Sequence, residues 1–108
     1  MSITLTERVS GKVTHARFDD LAAALDALER RGHTLQGQAD AEAVGGELMR
    51  RFEPEDQVVA RLELSGKGGV DIRGDGSAIA YTGRWRRRTI ARESGESAYE
   101  ALRRILIA

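Results

Sequence analysis

Ile3, Leu5 and Val9 alternate with Thr4, Thr6 and Arg8 at the start of the chain. A period of two belongs to a strand with one dry and one wet face, and Glu7 is the charged exception on the dry side. Ser10-Gly11 then marks a turn, and "KVTHARF" returns as a second strand. From Leu21 the period lengthens. Leu21, Ala24, Leu25 and Leu28 recur at helical spacing, Asp19 or Asp20 suits the N-cap, Arg30 and Arg31 suit the last turn, and Gly32 suits the stop. "HTLQGQ" reads as a loop. Ala41, Val44, Leu48 and Phe52 mark another helix, capped by Asp40 and ended by Pro54, although Gly45 and Gly46 each cost it about 1 kcal/mol relative to alanine.

Beyond Pro54 the period returns to two. Val58, Ala60, Leu62 and Leu64 alternate with Val59, Arg61 and Glu63; "SGKGG" leads into "VDIR", and "GDGS" into "AIAYTGRWRRRTIARE". Connections this short exclude parallel crossovers, so these are three antiparallel strands. Ser97 with Glu100 forms a capping box, followed by an apolar stripe of Ala98, Ala101, Leu102, Ile105 and Leu106. The order is β-β-α-(α)-β-β-β-α. An antiparallel sheet of about five strands with helices on one face buries both stripes, which is an α+β two-layer sandwich. No linker interrupts the 108 residues, so residues 1–108 read as a single domain.

The last strand carries a conflict of phase. Ile79, Tyr81, Gly83 and Trp85 fall on one side and Arg84, Arg86 and Arg88 on the other, so in an unbroken strand Arg87 would enter the apolar side and Ile90 leave it. A bulge, a twist or an end of pairing between Arg86 and Arg88 is the expected remedy.

Charge bears on what that arginine cluster does. The chain holds 17 basic and 17 acidic residues, only two of the basic ones lysine, so its formal net charge is zero. Residues 1–75 carry ten basic and fourteen acidic side chains, and residues 76–108 carry seven and three, giving −4 and +4. Arg84, Trp85, Arg86 and Arg88 form the candidate contact surface, either for phosphates and a stacked base or for an acidic partner. Balanced charge favours the plainer reading, in which the arginines pair with Glu63, Asp71 or a helix carboxylate.

Other chemistry is sparse. With no cysteine, thiol nucleophiles and disulfides are excluded, and His15 and His33 lack metal-ligand spacing, so no metal and no cofactor is expected. Gly66-Lys67-Gly68-Gly69 lacks the strand–loop–helix frame of a phosphate-binding loop, and Arg73-Gly74-Asp75 reads as a turn. Neither the acidic pair Asp19-Asp20 nor the cluster Glu53, Glu55 and Asp56 shows the fixed separation of an acid–base pair. No apolar run reaches the length of a membrane span and no signal-peptide order opens the chain, so the expected location is cytoplasmic.

The β-β-β-α half, with Gly95, Tyr99, Ala101 and Leu102 in a Gly-x-x-x-Tyr-x-Ala-Leu pattern, resembles folds of the double-stranded-RNA-binding type, including ribosome-hibernation factors and some antitoxins. The resemblance implies the strand-to-helix order and an RNA contact. This chain departs from it at the start of that helix, where Glu93, Glu96 and Glu100 stand in place of lysines and would repel phosphate. The reading reached is a small non-enzymatic protein-binding, regulatory module that self-associates, with a homodimer expected and the apolar tail "ILIA" as one surface for it. The alternative is an RNA- or ribosome-binding module using the arginine-rich last strand.

Overall fold

The computed structural model describes residues 2–45, 57–83 and 86–107, with residues 40–45 described by their backbone alone. Two strands, β1 (Ile3–Val9) and β2 (Lys12–Phe18), precede a long helix, α1 (Leu21–Gly45). Strands β3 (Val58–Leu64), β4 (Gly68–Arg73), β5 (Ala78–Thr82) and β6 (Arg88–Thr89) follow, and α2 (Ala98–Ile107) closes the fold. All neighbours are antiparallel, in the order β2-β1-β3-β4-β5-β6. Both helices cover one face. The α+β two-layer arrangement expected from the pattern is the one adopted, with six strands.

The core lies between that face and the helices. Leu5, Leu62, Leu64, Val70 and Ile72 of the sheet meet Leu25, Leu28 and Leu35 of α1 and Ala101 and Leu102 of α2. Each fully buried Leu or Ile contributes roughly 1.5–3 kcal/mol of transfer free energy. Glu7, the exception on the dry side of β1, accepts a 2.7 Å hydrogen bond from Nε of Arg31 on α1. The charged residue faces the helix layer because that layer supplies its counter-ion.

Three expectations are corrected. First, α1 does not stop at Gly32, "HTLQGQ" is not a loop, and residues 40–45 continue α1 without a new cap at Asp40. Buried Leu28, Gly32, Leu35 and Ala39 keep one helical stripe through the glycine. Gly32 is there for packing: a Cβ at this position would collide with the ring and hydroxyl of Tyr99 on α2. The Tyr99 ring stacks on His33 at 4.9 Å, and its hydroxyl donates to Oε1 of Gln36 at 2.6 Å while Nε2 of Gln36 donates to the Gly76 carbonyl at 2.9 Å. The rest of the expected second helix, including Leu48, Phe52 and Pro54, lies outside the described residues.

Second, β5 has the opposite phase. Ala78 and Ala80 face the core, and Ile79 and Tyr81 face away. Small residues are needed here because α2 packs onto β5 through Ala98 and Ala101 at the depth of a methyl group. Third, the long last strand is a hairpin. β5 ends at Thr82, Gly83 follows at φ 101°, and β6 runs back with Thr89 opposite Tyr81 and Arg88 opposite Thr82. The pairing ends earlier than the expected break near Arg86, and it ends by reversal. The return resolves the phase conflict, since Ile90 is buried at 7% exposure with its N–H on the Ala80 carbonyl.

The capping box of α2 forms as expected: Ser97 N–H donates to Glu100 Oε1 at 3.0 Å, and Glu100 N–H to Ser97 Oγ at 3.1 Å. Leu102 is fully buried, but Ile105, placed on the same stripe, is 41% exposed. Arg104 reaches back to both carboxylate oxygens of Glu96 and to the Ala91 carbonyl, tying the approach segment to the helix.

Gly32 and Gly37 give paired expectations. Gly32→Ala should destabilise the fold by about 1–3 kcal/mol by displacing the Tyr99 ring. A Cβ at Gly37 would meet nothing within 4 Å, so Gly37→Ala should stabilise by about 0.5–1 kcal/mol through helix propensity. Urea unfolding of the two variants beside the parent measures both, and a helix ending at residue 31 would give no gain at 37.

Candidate binding surface

The face of the sheet opposite the helices is laid out by strand register. One row across it reads Val13, Arg8, Arg61, Asp71 and Ile79, and the next reads His15, Thr6, Glu63, Gly69, Tyr81 and Thr89. In the first row Arg61 binds Asp71 through Nε at 2.7 Å and a second nitrogen at 3.3 Å. The hydrogen bonds to Asp71 raise the Arg61 pKa against the opposing effect of burial. Arg8 stands on the other side of Arg61, exposed, a like charge directly opposite on the neighbouring strand. The same row therefore holds one satisfied cation and one open one.

In the second row Tyr81 is only 4% exposed although it lies outside the core. Its partner across the strands is Gly69, which leaves room for the ring to lie over the backbone, and the Arg87 guanidinium covers it at 5.1 Å. Arg87 also approaches Glu63 at 3.6 Å. Burial, then the Glu63 carboxylate, push the Tyr81 phenol up to about 12. Its hydroxyl is buried and has no hydrogen-bond partner among the described residues. The phenol here is filler and carries no acid–base role at neutral pH.

The arginine cluster is resolved in part. Arg84 and Trp85 lie outside the described residues. Arg86 and Arg88 are exposed, and among the described residues no carboxylate stands within ion-pair distance of either. For Arg86 and Arg88 the pairing expected with Glu63 or Asp71 does not form among the described residues: Glu63 is approached by Arg87 and Asp71 is taken by Arg61, because the reversal after Thr82 carries Arg86 and Arg88 away from the row of carboxylates; Arg84 lies outside the described residues. His15 and His33 sit on different elements, β2 and α1. A recess of about 470 Å³ borders His33, Gln36, Arg92 and Tyr99, where Gln36 and Tyr99 already satisfy each other.

The feature that periodicity does not reveal is the free edge. Among the described residues β2 ends the sheet, and all of Lys12–Arg17 is exposed on both faces, while the opposite edge is the two-residue β6. Ser10 and Gly11, at φ 51° and 79°, form the two-residue turn that makes Val9–Lys12 a hydrogen-bonded pair. Lys12, Thr14, Ala16 and Phe18 therefore turn their backbone groups to β1, and Val13, His15 and Arg17 turn theirs outward. A signal was present in "KVTHARF". It has no proline, no carboxylate and only Phe18 as a large apolar residue on its inner side.

No family model, curated protein or solved structure gives a significant match to the chain. Among the described residues no helix is long and apolar enough to cross a membrane.

Tyr81 supplies a test of this face. Tyr81→Phe removes a buried hydroxyl that bonds to nothing among the described residues, so stability should stay level or rise by up to about 1 kcal/mol, whereas Asp71→Asn, which strands the half-buried Arg61, should cost about 1–2 kcal/mol. Urea denaturation separates the two, and a loss above 1 kcal/mol in Tyr81→Phe would reveal a bond to the hydroxyl.

Proposed function

We propose that this chain is a non-enzymatic protein-binding module that accepts an extended segment at the free edge of β2, a second copy being the partner its composition leads us to expect. One observation carries the reading: among the described residues a regular strand of seven residues is left unpaired along its outer side, while the opposite edge of the sheet is cut to two residues at β6. Natural sheets blunt such edges with proline, bulges, short strands or charge; β2 carries only the charge of Lys12 and Arg17, and a regular edge of this length remains a template for strand addition, in which backbone hydrogen bonds give affinity and alternate side chains give selectivity. Arg8, Lys12 and Arg17 make the surroundings basic. They keep the edge soluble when free and favour partners without their own cations at those positions.

Proline tests this reading because the outward N–H groups are the ones it removes. Val13→Pro and Arg17→Pro should abolish self-association in sedimentation equilibrium while β1–β2 pairing, and with it the thermal midpoint, stays near that of the parent. Ile105→Glu with Ile107→Glu should leave association unchanged, although both isoleucines are exposed on α2. The opposite pattern would move the interface to the apolar tail.

A second reading rests on Arg86 and Arg88, exposed and without carboxylate partners among the described residues. As an RNA contact they would act through phosphates. If the parent binds RNA, the Arg86→Ala/Arg88→Ala variant should bind more weakly and lose about 1.4–1.8 from the slope of log affinity against log salt. An unchanged slope excludes these two side chains from the contact.

A further inference from the structure

We propose that the second copy adds to β2 in antiparallel register about a two-fold axis at His15, so that His15 of each copy stands opposite His15 of the other. The inference rests on the strand-addition reading and specifies its partner. Its basis is the symmetry of the free edge. The outward-facing residues are Val13, His15 and Arg17, evenly spaced about His15, in a strand that itself runs equally far on either side, from Lys12 to Phe18. Centred there, every outward residue exchanges both of its backbone hydrogen bonds with a counterpart. A register centred on Thr14 or Ala16 leaves one outward residue of each strand unmatched.

Side chains agree with this register. Val13, a large apolar residue 45% exposed in the single chain, comes opposite Arg17 of the second copy, whose methylene stem covers it. Lys12 comes opposite Phe18, and Thr14 opposite Ala16. Only His15 meets its own kind.

That meeting gives the dimer a pH response whose sign is fixed by the neighbours. On its own face His15 hydrogen-bonds to Thr6 at 3.1 Å; Arg17 and Arg8 flank it by register, and the carboxylate of its row, Glu63, lies beyond Thr6 and faces Arg87. On the other face, Glu7 is engaged by Arg31. Among the described residues no carboxylate stands within ion-pair distance of His15, and the dimer sets two imidazoles side by side. Imidazolium charges set side by side repel, so acidification opposes pairing: the dimer holds near neutral pH and weakens as the solution is made acidic.

The chain has no cysteine, so single-cysteine variants report register without background. Opposed Cα atoms in a hydrogen-bonded antiparallel pair stand about 5.5 Å apart, within disulfide reach, whereas positions two residues out of register stand about 8 Å apart and beyond it. On mild oxidation His15→Cys should cross-link into a covalent dimer and Thr14→Cys and Ala16→Cys should not. By sedimentation, the parent dimer should weaken about tenfold or more between pH 7.5 and 5.5, and His15→Asn should keep its affinity. Preferential cross-linking at 14 or 16 overturns the register, and equal pH behaviour of parent and His15→Asn overturns the His15 pairing. A parent that is monomeric at all pH values, with no cross-link, overturns the inference. Strand addition itself falls on a separate result, an association that Val13→Pro and Arg17→Pro leave intact.

Discussion

The close approach of Tyr99 to Gly32 is the constraint from which the helix layer follows. With only a hydrogen at that position, the ring seats against the α1 backbone, stacks on His33 and hands its hydroxyl proton to Gln36, which in turn holds the β4–β5 turn through Gly76. One aromatic residue thus fixes α2 to α1 and both to the end of the sheet. Burial in this joint raises the Tyr99 pKa, so the donated proton stays in place through neutral pH. The alanines of β5 are the counterpart on the sheet side. Larger residues there would lift α2, and the ring would lose its seat.

Placing both helices over one face leaves the other to be stabilised by polar and aromatic pairing. The Arg61–Asp71 fork and the Tyr81–Arg87–Glu63 group do this at the middle strands, where neighbours lie on both sides. Toward β2 the pairing thins out to the single Thr6–His15 bond. Side-chain pairing on this face therefore thins from β4 to β2, while β2 itself stays paired to β1 along its whole length and keeps its other side of backbone groups turned outward.

Much of this was legible in the residues. The alternation from Ala60 to Leu64 and the Ser97–Glu100 box place their elements because each signal is local: a strand's two faces and a helix's first turn are set by residues a few positions apart. What local pattern cannot express is distance between elements. Gly32 reads as a helix stop until Tyr99 is known to lie against it, although Leu28, Leu35 and Ala39 carry the stripe past it. Alanine is small enough to sit on either side of a strand, so Ile79 and Tyr81 dominated the reading of β5 and set its phase wrongly. The arginine cluster was visible, but which of its members would meet Glu63 depended on a chain reversal at Gly83. Strand order is likewise non-local, and with it the identity of β2 as an edge.

The inequality of the two edges limits how far such a sheet can grow. Fibrous stacking of strands is heterologous: each molecule must offer one edge forward and a complementary edge behind. Here the far edge is two residues long, and its chain turns inward at once to bury Ile90 under the helix layer. If two copies join through β2 as proposed, the contact is isologous, and an isologous contact uses itself up when two molecules have met. In such a pairing the short β6 would act as a terminator, confining growth through β2 to closed assemblies.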